Sequence, residues 1–315
     1  MDAQRLAGIY RSALLSRRFE ERLLKLSMEG FLPPMLHPGA GHEIGQLAAI
    51  EALRPDDPII YSHRGLAYMV GRGVPLAAML CDISGRFGGT NNGKGGIMHV
   101  VDTARGIYGE SGTLGGGLVV ATGMAMALKK KKSSSIVAHF FGDGGSNRGT
   151  FHESLNWAAV LKLPVLFICE NNGWAVSVPT SASTAVEDIA DRAAGYGIPG
   201  HVVDGCDAEA VYRVVQEAAE RARSGLGPSL IEIKMVRLLG HYATDPQAYR
   251  EGFDAGTLSD PLTAFAAGLI ASDVLSDAAI QALEAEIAAE IDAAVAVAKA
   301  AAPLPAELAY TDLYA

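Results

Sequence analysis

Short apolar segments alternate with amphipathic helical segments through the middle of this chain of 315 residues, and this alternation restricts the fold more than any other feature. The pattern is typical of strand-helix-strand units. Such units predict a parallel sheet that is covered by helices on both faces. We therefore predict a doubly wound α/β fold. The predicted strands are 135–141, 164–170, 201–203 and 229–234, and the predicted helices are 118–129, 150–161, 185–194 and 208–222.

The segments that flank this region are predicted to be mainly helical. Residues 4–29 carry apolar side chains at helical spacing, and residues 261–302 are rich in alanine with acidic residues at the same spacing. An apolar piece at 58–61 is a further candidate strand. We predict a single domain in three parts: a helical N-terminal arm (1–55), an α/β core (56–258) and a helical C-terminal tail (259–315).

Glycine is dense between residues 84 and 117. Such a segment cannot be regular structure throughout, so its backbone is expected to make turns or to approach a ligand closely. The alternative is a flexible surface loop. The apolar residues within it, among them Met98, Val100 and Ile107, favour an ordered and partly buried loop.

Charge and composition exclude several classes of function. The formal net charge of −9 argues against nonspecific binding to nucleic acid, which requires clustered basic residues. No apolar run is long enough to span a membrane, and the N-terminus, with Asp2 and Arg5, lacks the apolar core of a signal peptide. The three cysteines form no CxxC pair. We therefore predict a cytoplasmic protein without a disulfide framework.

The most informative motif is the sequence Gly142-Asp143-Gly144-Gly145-Ser146-Asn147. It follows an apolar strand and precedes a helix whose Thr150 and Glu153 match a capping box. Loops at the carboxyl ends of parallel strands bind ligands, and the free amides at the start of a helix favour phosphate. A dinucleotide fingerprint would need glycine at position 147, where Asn147 stands, and a Walker motif is missing.

A second polar turn follows the next strand. Asn172 lies 172 − 143 = 29 residues after Asp143, which is the length of one strand-helix-strand unit. If the strands are neighbours, both side chains can bind one ion. Carboxylate and amide oxygens suit Mg²⁺, and a diphosphate would complete its shell. The alternative is that Asp143 only caps its turn while Asn171 and Asn172 supply left-handed turn conformations.

The segment 142–172 resembles the thiamine diphosphate motif of the alpha subunits of pyruvate, branched-chain 2-oxo acid and acetoin dehydrogenases. The similarity covers nearly the whole chain. Further matching segments, in order, are Gly93-Lys94-Gly95-Gly96-Ile97-Met98-His99, Ser154-Leu155-Asn156, Lys162-Leu163-Pro164, Gly240-His241-Tyr242 and Asp260-Pro261. The resemblance implies the thiamin diphosphate-binding fold, with thiamine diphosphate and Mg²⁺ as cofactors.

Site residues follow from the resemblance. It implies that the side chains of Asp143 and Asn172 and the carbonyl of Trp174 bind Mg²⁺, and that His241 is a catalytic residue beside the cofactor. Without the resemblance, Arg64 is more simply a surface ion-pair residue. The other implied contacts are Gly144 and Gly145 through their amides, His63 and Arg64 at the diphosphate, and the backbone of Gly112 and Leu114 at the aminopyrimidine ring.

The resemblance also implies partners. In this family a carboxylate of a beta subunit protonates the pyrimidine, in a two-alpha two-beta heterotetramer that passes an acyl group from a small-molecule substrate to a lipoyl-bearing acyltransferase component. The isolated chain is therefore expected to be inactive. A non-catalytic scaffold subunit is the alternative, and the length argues against a self-contained transketolase-like enzyme.

Some positions depart from the pyruvate-specific pattern. Leu66 and Leu239 stand where pyruvate enzymes have histidine, and Tyr242 stands where relatives controlled by phosphorylation have serine. The segments 62–65 and 247–250 look closest to acetoin dehydrogenases. The two leucines indicate either a different or larger substrate or sequence drift without functional consequence.

Overall fold

The computed structural model describes residues 1–34, 36–96, 98–110, 112–250 and 258–311. Within this part of the chain a six-stranded sheet has all its strands parallel, in the spatial order β2-β1-β3-β4-β8-β7. Its strands are β1 (Ile59–Tyr61), β2 (Ile107–Glu110), β3 (Val137–Gly142), β4 (Val165–Asn171), β7 (Gly200–Asp204) and β8 (Ser229–Lys234). A small antiparallel pair, β5 (Trp174–Ala175) and β6 (Val178–Pro179), follows β4.

Helices cover both faces of the sheet. They are α1 (Ala3–Met28), α2 (Glu43–Glu51), α3 (Leu66–Gly71), α4 (Leu76–Ile83), α5 (Gly116–Lys130), α6 (Gly149–Val160), α7 (Thr180–Ser183), α8 (Ala208–Arg223), α9 (Pro261–Ala271) and α10 (Asp277–Ala300). Short 3-10 segments lie at Thr103–Arg105, Asp143–Asn147, Ile189–Tyr196 and Ala306–Tyr310.

Strand β4 shows why helices must cover both faces of the sheet. Leu166 and Ile168 pack in one apolar cluster with α1, α2 and α8. Val165, Phe167 and Cys169 point the other way and pack in a second cluster with α5 and α6. Because neighbouring side chains of a strand face opposite sides, an uninterrupted apolar strand must be covered twice. The predicted doubly wound α/β fold is confirmed.

Several local predictions differ from the structure. The segment predicted as a helix at 185–194 is a 3-10 segment at Ile189–Tyr196, preceded by the short α7. The capping box is wrong, because α6 begins at Gly149 and the hydroxyl of Thr150 lies buried without a hydrogen bond. The glycine-rich segment contains β2, which pairs with β1.

The division into arm, core and tail stays a prediction. The predicted N-terminal helix and the two tail helices are present as α1, α9 and α10. Residues 251–257 of the predicted core, 312–315 of the predicted tail and Ile97 of the matching segment lie outside the described residues. Across the described ranges, none of the helices combines the length and the apolar character that crossing a bilayer requires.

Candidate functional site

A cavity of about 260 Å³ lies at the carboxyl edge of the sheet. Gly142 at the end of β3 is in register with Glu170 of β4, so Asp143 leaves the sheet beside Asn171, which is the last residue of β4 and pairs with Lys234 of β8. Asn172 follows directly, and both Asp143 and Asn172 line the cavity. The spacing argument therefore placed the two polar turns correctly at one edge.

Asp143 is a buried carboxylate with a single side-chain partner. Its Oδ2 accepts a hydrogen bond from Thr180 Oγ1 at 3.0 Å. Burial raises the pKa of Asp143, and the bond from Thr180 only partly opposes this. An ionised carboxylate in such a place gains from a bound cation. The turn that follows Asp143 closely approaches Ala175, since a Cβ added to Gly144 would lie 2.8 Å from the Cβ of Ala175.

Asn172 connects the cavity to a buried hydrogen-bond network. Its Nδ2 donates to His42 Nε2 at 3.2 Å, and its Oδ1 accepts from the Trp174 amide at 3.2 Å. His42 therefore carries its proton on Nδ1, which lies 3.5 Å from Glu170 Oε1. Neither Asn171 nor Asn172 has a positive φ; Gly173 supplies the left-handed residue of this turn, at +82°. The alternative role for the two asparagines as left-handed residues is thus wrong.

Glu170 is the centre of that network. Gln46 Nε2 donates to its Oε1 at 2.5 Å and Ser62 Oγ donates to its Oε2 at 3.0 Å. Burial alone would raise the pKa of Glu170, but its interactions with the nearby polar groups of His42, Gln46 and Tyr68 outweigh burial and lower the pKa. The sequence reasoning missed His42 and Glu170. An acidic residue at the end of the apolar run 165–169 was the available signal, because charged residues are rarely fully buried without a role.

Arg64 is a buried cation, only 5% exposed, and no carboxylate of the described residues pairs with it. Its Nη1 donates to the carbonyl of Pro38, and its Nη2 donates to the carbonyl of His241 at 3.1 Å. Burial and the nearby charge of Arg237 lower the pKa of Arg64 to about 10, so it stays charged at neutral pH. The predicted surface ion pair is wrong, since an unneutralised guanidinium lines the cavity instead.

Three histidines meet beside Arg64. The ring centroids of His37 and His63 are 4.7 Å apart, those of His37 and His241 are 4.8 Å apart, and those of His63 and His241 are 5.4 Å apart. Burial, followed by the charge of Arg64, places the pKa of His63 well below its usual value and that of His241 at about 4. Burial also lowers the pKa of His37. All three are neutral at physiological pH.

The loop that carries His241 is fixed by its own side chains. Asp245 Oδ2 accepts from the His241 amide at 2.6 Å and from the Tyr249 hydroxyl at 2.6 Å. The ring of Tyr249 lies 5.6 Å from that of Trp174, and Arg237 donates to the carbonyl of Val176 at 3.2 Å. These contacts attach the loop to the turn that follows β4.

Nine of the ten predicted site residues line this one cavity: His63, Arg64, Gly112, Leu114, Asp143, Gly144, Asn172, Trp174 and His241. Gly145 does not line it and backs onto Phe141 instead. Leu66 and Leu239 also lie outside the cavity lining, and Leu239 is 38% exposed. The expectation that these leucines shape the substrate site therefore has no support in the geometry.

The loop 36–41 presents His37 and holds Arg64, and its backbone depends on Gly41. This glycine has φ +97°, and a Cβ there would lie 2.1 Å from the carbonyl oxygen of Val236. Gly41→Ala is expected to lower the free energy of unfolding by about 3 kcal/mol or more, because backbone strain and a clash add together. Gly30→Ala is the control, since Gly30 has φ +76° with open space around it and should cost only about 1–2 kcal/mol. Urea titration measures the free energy of unfolding of both variants. Equal losses in Gly41→Ala and Gly30→Ala would show that the clash with Val236 adds nothing.

Glu20 of α1 fixes the same loop, 36–41, through hydrogen bonds to its backbone. Its carboxylate accepts from the amides of Gly39 at 2.5 Å and Ala40 at 3.2 Å. Burial, followed by the charge of Glu43, raises the pKa of Glu20 from 4.5 to about 7. The folded state therefore keeps a proton that the unfolded chain releases above pH 4.5, and the free energy of unfolding should fall as pH rises from about 4.5 to 7.

The expected loss attributable to Glu20 is about 3 kcal/mol across that range. Unfolding free energies measured by urea at pH 5 and pH 8 should differ less in Glu20→Gln than in the unchanged chain. Glu21→Gln, which alters an exposed neighbour paired with Arg18, should keep the full pH dependence. A Glu20→Gln variant with an unchanged pH dependence would refute the assignment.

Comparison with known proteins identifies the family. The model of the dehydrogenase E1 component family matches residues 10–307. The chain belongs to this family. E1 components of this kind depend on thiamine diphosphate, so the phosphate-binding interpretation of the sequence agrees with the family.

Among the relatives of this E1 component, two are named as alpha subunits of acetoin:2,6-dichlorophenolindophenol oxidoreductase. The protein of Cupriavidus necator is 45% identical over 260 residues, covering 82% of this chain and 77% of the relative. That of Bacillus subtilis is 43% identical over 242 residues, covering 77% and 73%. The alpha subunit of the pyruvate dehydrogenase E1 component of Zymomonas mobilis is 34% identical, covering 99% and 89%. The predicted family resemblance is confirmed.

Proposed function

We propose that this chain is the alpha subunit of a thiamine-diphosphate-dependent dehydrogenase acting on acetoin or a 2-oxo acid, and that it binds the magnesium-diphosphate end of the cofactor. One observation carries the proposal. A buried arginine without a carboxylate partner, Arg64, faces the same cavity as the buried carboxylate of Asp143. A group that carries both a cation and an anion satisfies the two charges together.

The donor set fits that group. Asp143, the amide oxygen of Asn172 and the backbone carbonyl of Trp174 are hard oxygen donors of the kind that Mg²⁺ prefers, and phosphate oxygens and water would complete its shell. Arg64 and His63 would contact the diphosphate, the former as a bidentate donor. The start of the 3-10 segment at Asp143–Asn147 adds the amide of Gly144 at the same edge.

When bound, the cofactor would supply an electron sink next to the substrate carbonyl. The chain's own contribution there is His241, whose pKa of about 4 leaves its imidazole neutral at pH 7. It can therefore donate a hydrogen bond beside the reacting atoms without adding charge. Gly112 and Leu114, which also line the cavity, would support the aminopyrimidine ring through their backbone.

A carboxyl group that protonates the pyrimidine is proposed to come from a beta subunit. Of the carboxylates that line the cavity, Asp143 is assigned to the metal and Glu170 accepts hydrogen bonds at both oxygens. The lowered pKa of Glu170 keeps it ionised, which does not suit a proton donor. The relatives are named as alpha subunits, which supports a beta-subunit partner. We propose that the two form a two-alpha two-beta assembly that passes an acyl group to a lipoyl-bearing acyltransferase.

Acetoin is the favoured substrate. The two relatives named for acetoin are 45% and 43% identical to this chain, whereas those named for pyruvate and 2-oxoisovalerate are 31% to 38% identical. The segments 62–65 and 247–250, which look like the acetoin type, both lie near the cavity, through His63 and through Tyr249 against Trp174.

The test is a dye-reduction assay with the chain co-expressed with a beta subunit. Reduction of 2,6-dichlorophenolindophenol should require acetoin or a 2-oxo acid, thiamine diphosphate and Mg²⁺, and the chain alone should be inactive. Pyruvate and 2-oxoisovalerate are compared with acetoin at equal concentrations. An assembled, cofactor-loaded complex that turns over none of them would favour a non-catalytic scaffold subunit instead.

A further inference from the structure

His139 is a polar side chain of the cavity wall that the proposed function does not use. It lies in the apolar strand β3, is only 3% exposed, and is in register with Ile60 of β1 and Phe167 of β4. Its ring stacks on that of Phe141, with 5.6 Å between the centroids and 20° between the planes. An imidazole in such apolar surroundings gives up its hydrogen bonds to water, so each of its nitrogens requires another partner.

Only one of the two ring nitrogens of His139 has such a partner. Nδ1 donates to the carbonyl of Ile60 at 3.3 Å, which fixes the proton of the neutral ring on Nδ1 and leaves Nε2 as a hydrogen-bond acceptor. Burial lowers the pKa of His139 to about 4, so the ring is neutral at pH 7. Among the described residues, none donates a hydrogen bond to Nε2. An acceptor on the cavity wall is therefore left for a ligand.

Gly117, in the first turn of α5, lies against that nitrogen and also lines the cavity. A Cβ at this position would lie 2.5 Å from Cε1 and 3.1 Å from Nε2 of His139, so a larger residue would displace the ring. No side chain caps the start of α5, and the amide of Gly117, unlike that of Gly116, has no acceptor within the described part of the chain. Amides at the start of a helix favour an oxygen acceptor. An unused donor and an unused acceptor thus lie side by side.

A hydroxyl group satisfies both, because one oxygen can donate to Nε2 and accept from the amide of Gly117. A carboxylate has no hydrogen to donate, and its oxygen would face the lone pair of Nε2. We propose that His139 and the amide of Gly117 bind the hydroxyl group of the substrate, and that His139 thereby selects an α-hydroxy ketone over a 2-oxo acid. This inference rests on the proposed function and identifies the hydroxyl of acetoin as the group that is recognised. Water carries the same two hydrogen-bonding functions, and the experiment separates the two occupants.

The experiment compares His139→Leu with His139→Gln in the enzyme assembled with a beta subunit and saturated with thiamine diphosphate and Mg²⁺. Leucine has a similar volume but no acceptor, whereas Oε1 of glutamine can reach the position of Nε2. We expect kcat/KM for acetoin to fall at least about tenfold in His139→Leu and to stay within about threefold in His139→Gln. The preference for acetoin over pyruvate should fall with it. Should His139→Leu fail to fold, His139→Met takes its place, because methionine adapts to irregular spaces.

The control is His201→Leu, on the edge strand β7 and outside the cavity lining, which should leave kcat/KM for acetoin unchanged. An equal loss with acetoin and pyruvate in His139→Leu would show that Nε2 holds only water or supports the fold, and the proposal would fail. Weaker thiamine diphosphate binding in calorimetric titration of His139→Leu would assign Nε2 to the cofactor and overturn it as well.

Turnover by the unchanged enzyme separates this inference from the proposed function. An enzyme that acts on pyruvate or 2-oxoisovalerate but not on acetoin would refute the hydroxyl subsite and leave the proposed function intact. An enzyme that binds the cofactor but acts on none of the three would count against the proposed function itself, and the subsite would fall with it.

Discussion

Asp143→Asn is expected to weaken the binding of magnesium-thiamine diphosphate by at least roughly 100-fold, or about 2.7 kcal/mol. Asparagine preserves the volume and can still accept the hydrogen bond from Thr180, so the change removes mainly the negative charge. Because burial raises the pKa of Asp143, the ligand-free variant should unfold at an unchanged or slightly higher temperature. Calorimetric titration of the assembled enzyme measures the affinity.

The control for that change is Asp204→Asn. Asp204 ends β7 at the same edge of the sheet, accepts a hydrogen bond from the Cys206 amide and does not line the cavity. Its variant should bind the cofactor as the unchanged enzyme does. If Asp143→Asn retained full affinity and its Mg²⁺ dependence, the metal assignment and the proposed function would both fail.

Asp57→Ala is expected to lower the free energy of unfolding by about 3–5 kcal/mol, enough to prevent folding in many domains. Asp57 is fully buried and accepts hydrogen bonds from the amides of Arg54 and Ile136 and a bidentate pair from Arg223. Its removal leaves two amides without their acceptor and takes away the buried carboxylate partner of Arg223, which keeps only the carbonyl of Ser134 and the exposed Glu220. Denaturant unfolding provides the measurement.

Asp56→Ala is the neighbouring control. Asp56 is exposed and accepts one hydrogen bond, from the hydroxyl of Ser135. Its loss should cost less than about 1 kcal/mol. Comparable costs at positions 56 and 57 would show that the buried ion pair contributes little to stability.

The sequence predicted the sheet because β4 contains the uninterrupted apolar run 165–169, which must be buried on both faces, and because the short apolar segments of β3 and β8 alternate with helical segments around it. It did not predict β2, which is short, contains Gly109 and becomes a strand only through pairing with β1. The 3-10 segment at Ile189–Tyr196 likewise keeps helical periodicity without forming an α-helix. Strand pairing and side-chain packing determine which structure these two segments form, and the local sequence pattern does not.

The residues of the site likewise divide into those that the sequence could predict and those that it could not. Asp143 and Asn172 were predictable because one chain unit connects them, and the parallel register then places them at one edge. His42 and Gln46 were not, since they meet Glu170 only when α2 packs beside the end of β4. His37 reaches His241 through a loop-to-loop contact between segments 204 residues apart, for which no local motif exists.

The order of the strands has a consequence for biosynthesis. Among the described strands, β7 pairs only with β8, and β4 pairs with β8 as well as β3, so both await the strand that is synthesised last. During translation the apolar edge of β4 therefore stays open until the ribosome has released residues 229–234. Nascent chains at this stage expose a template for intermolecular strand pairing. Slow elongation before β8 should favour inclusion bodies, and chaperones that shield β4 should raise the yield.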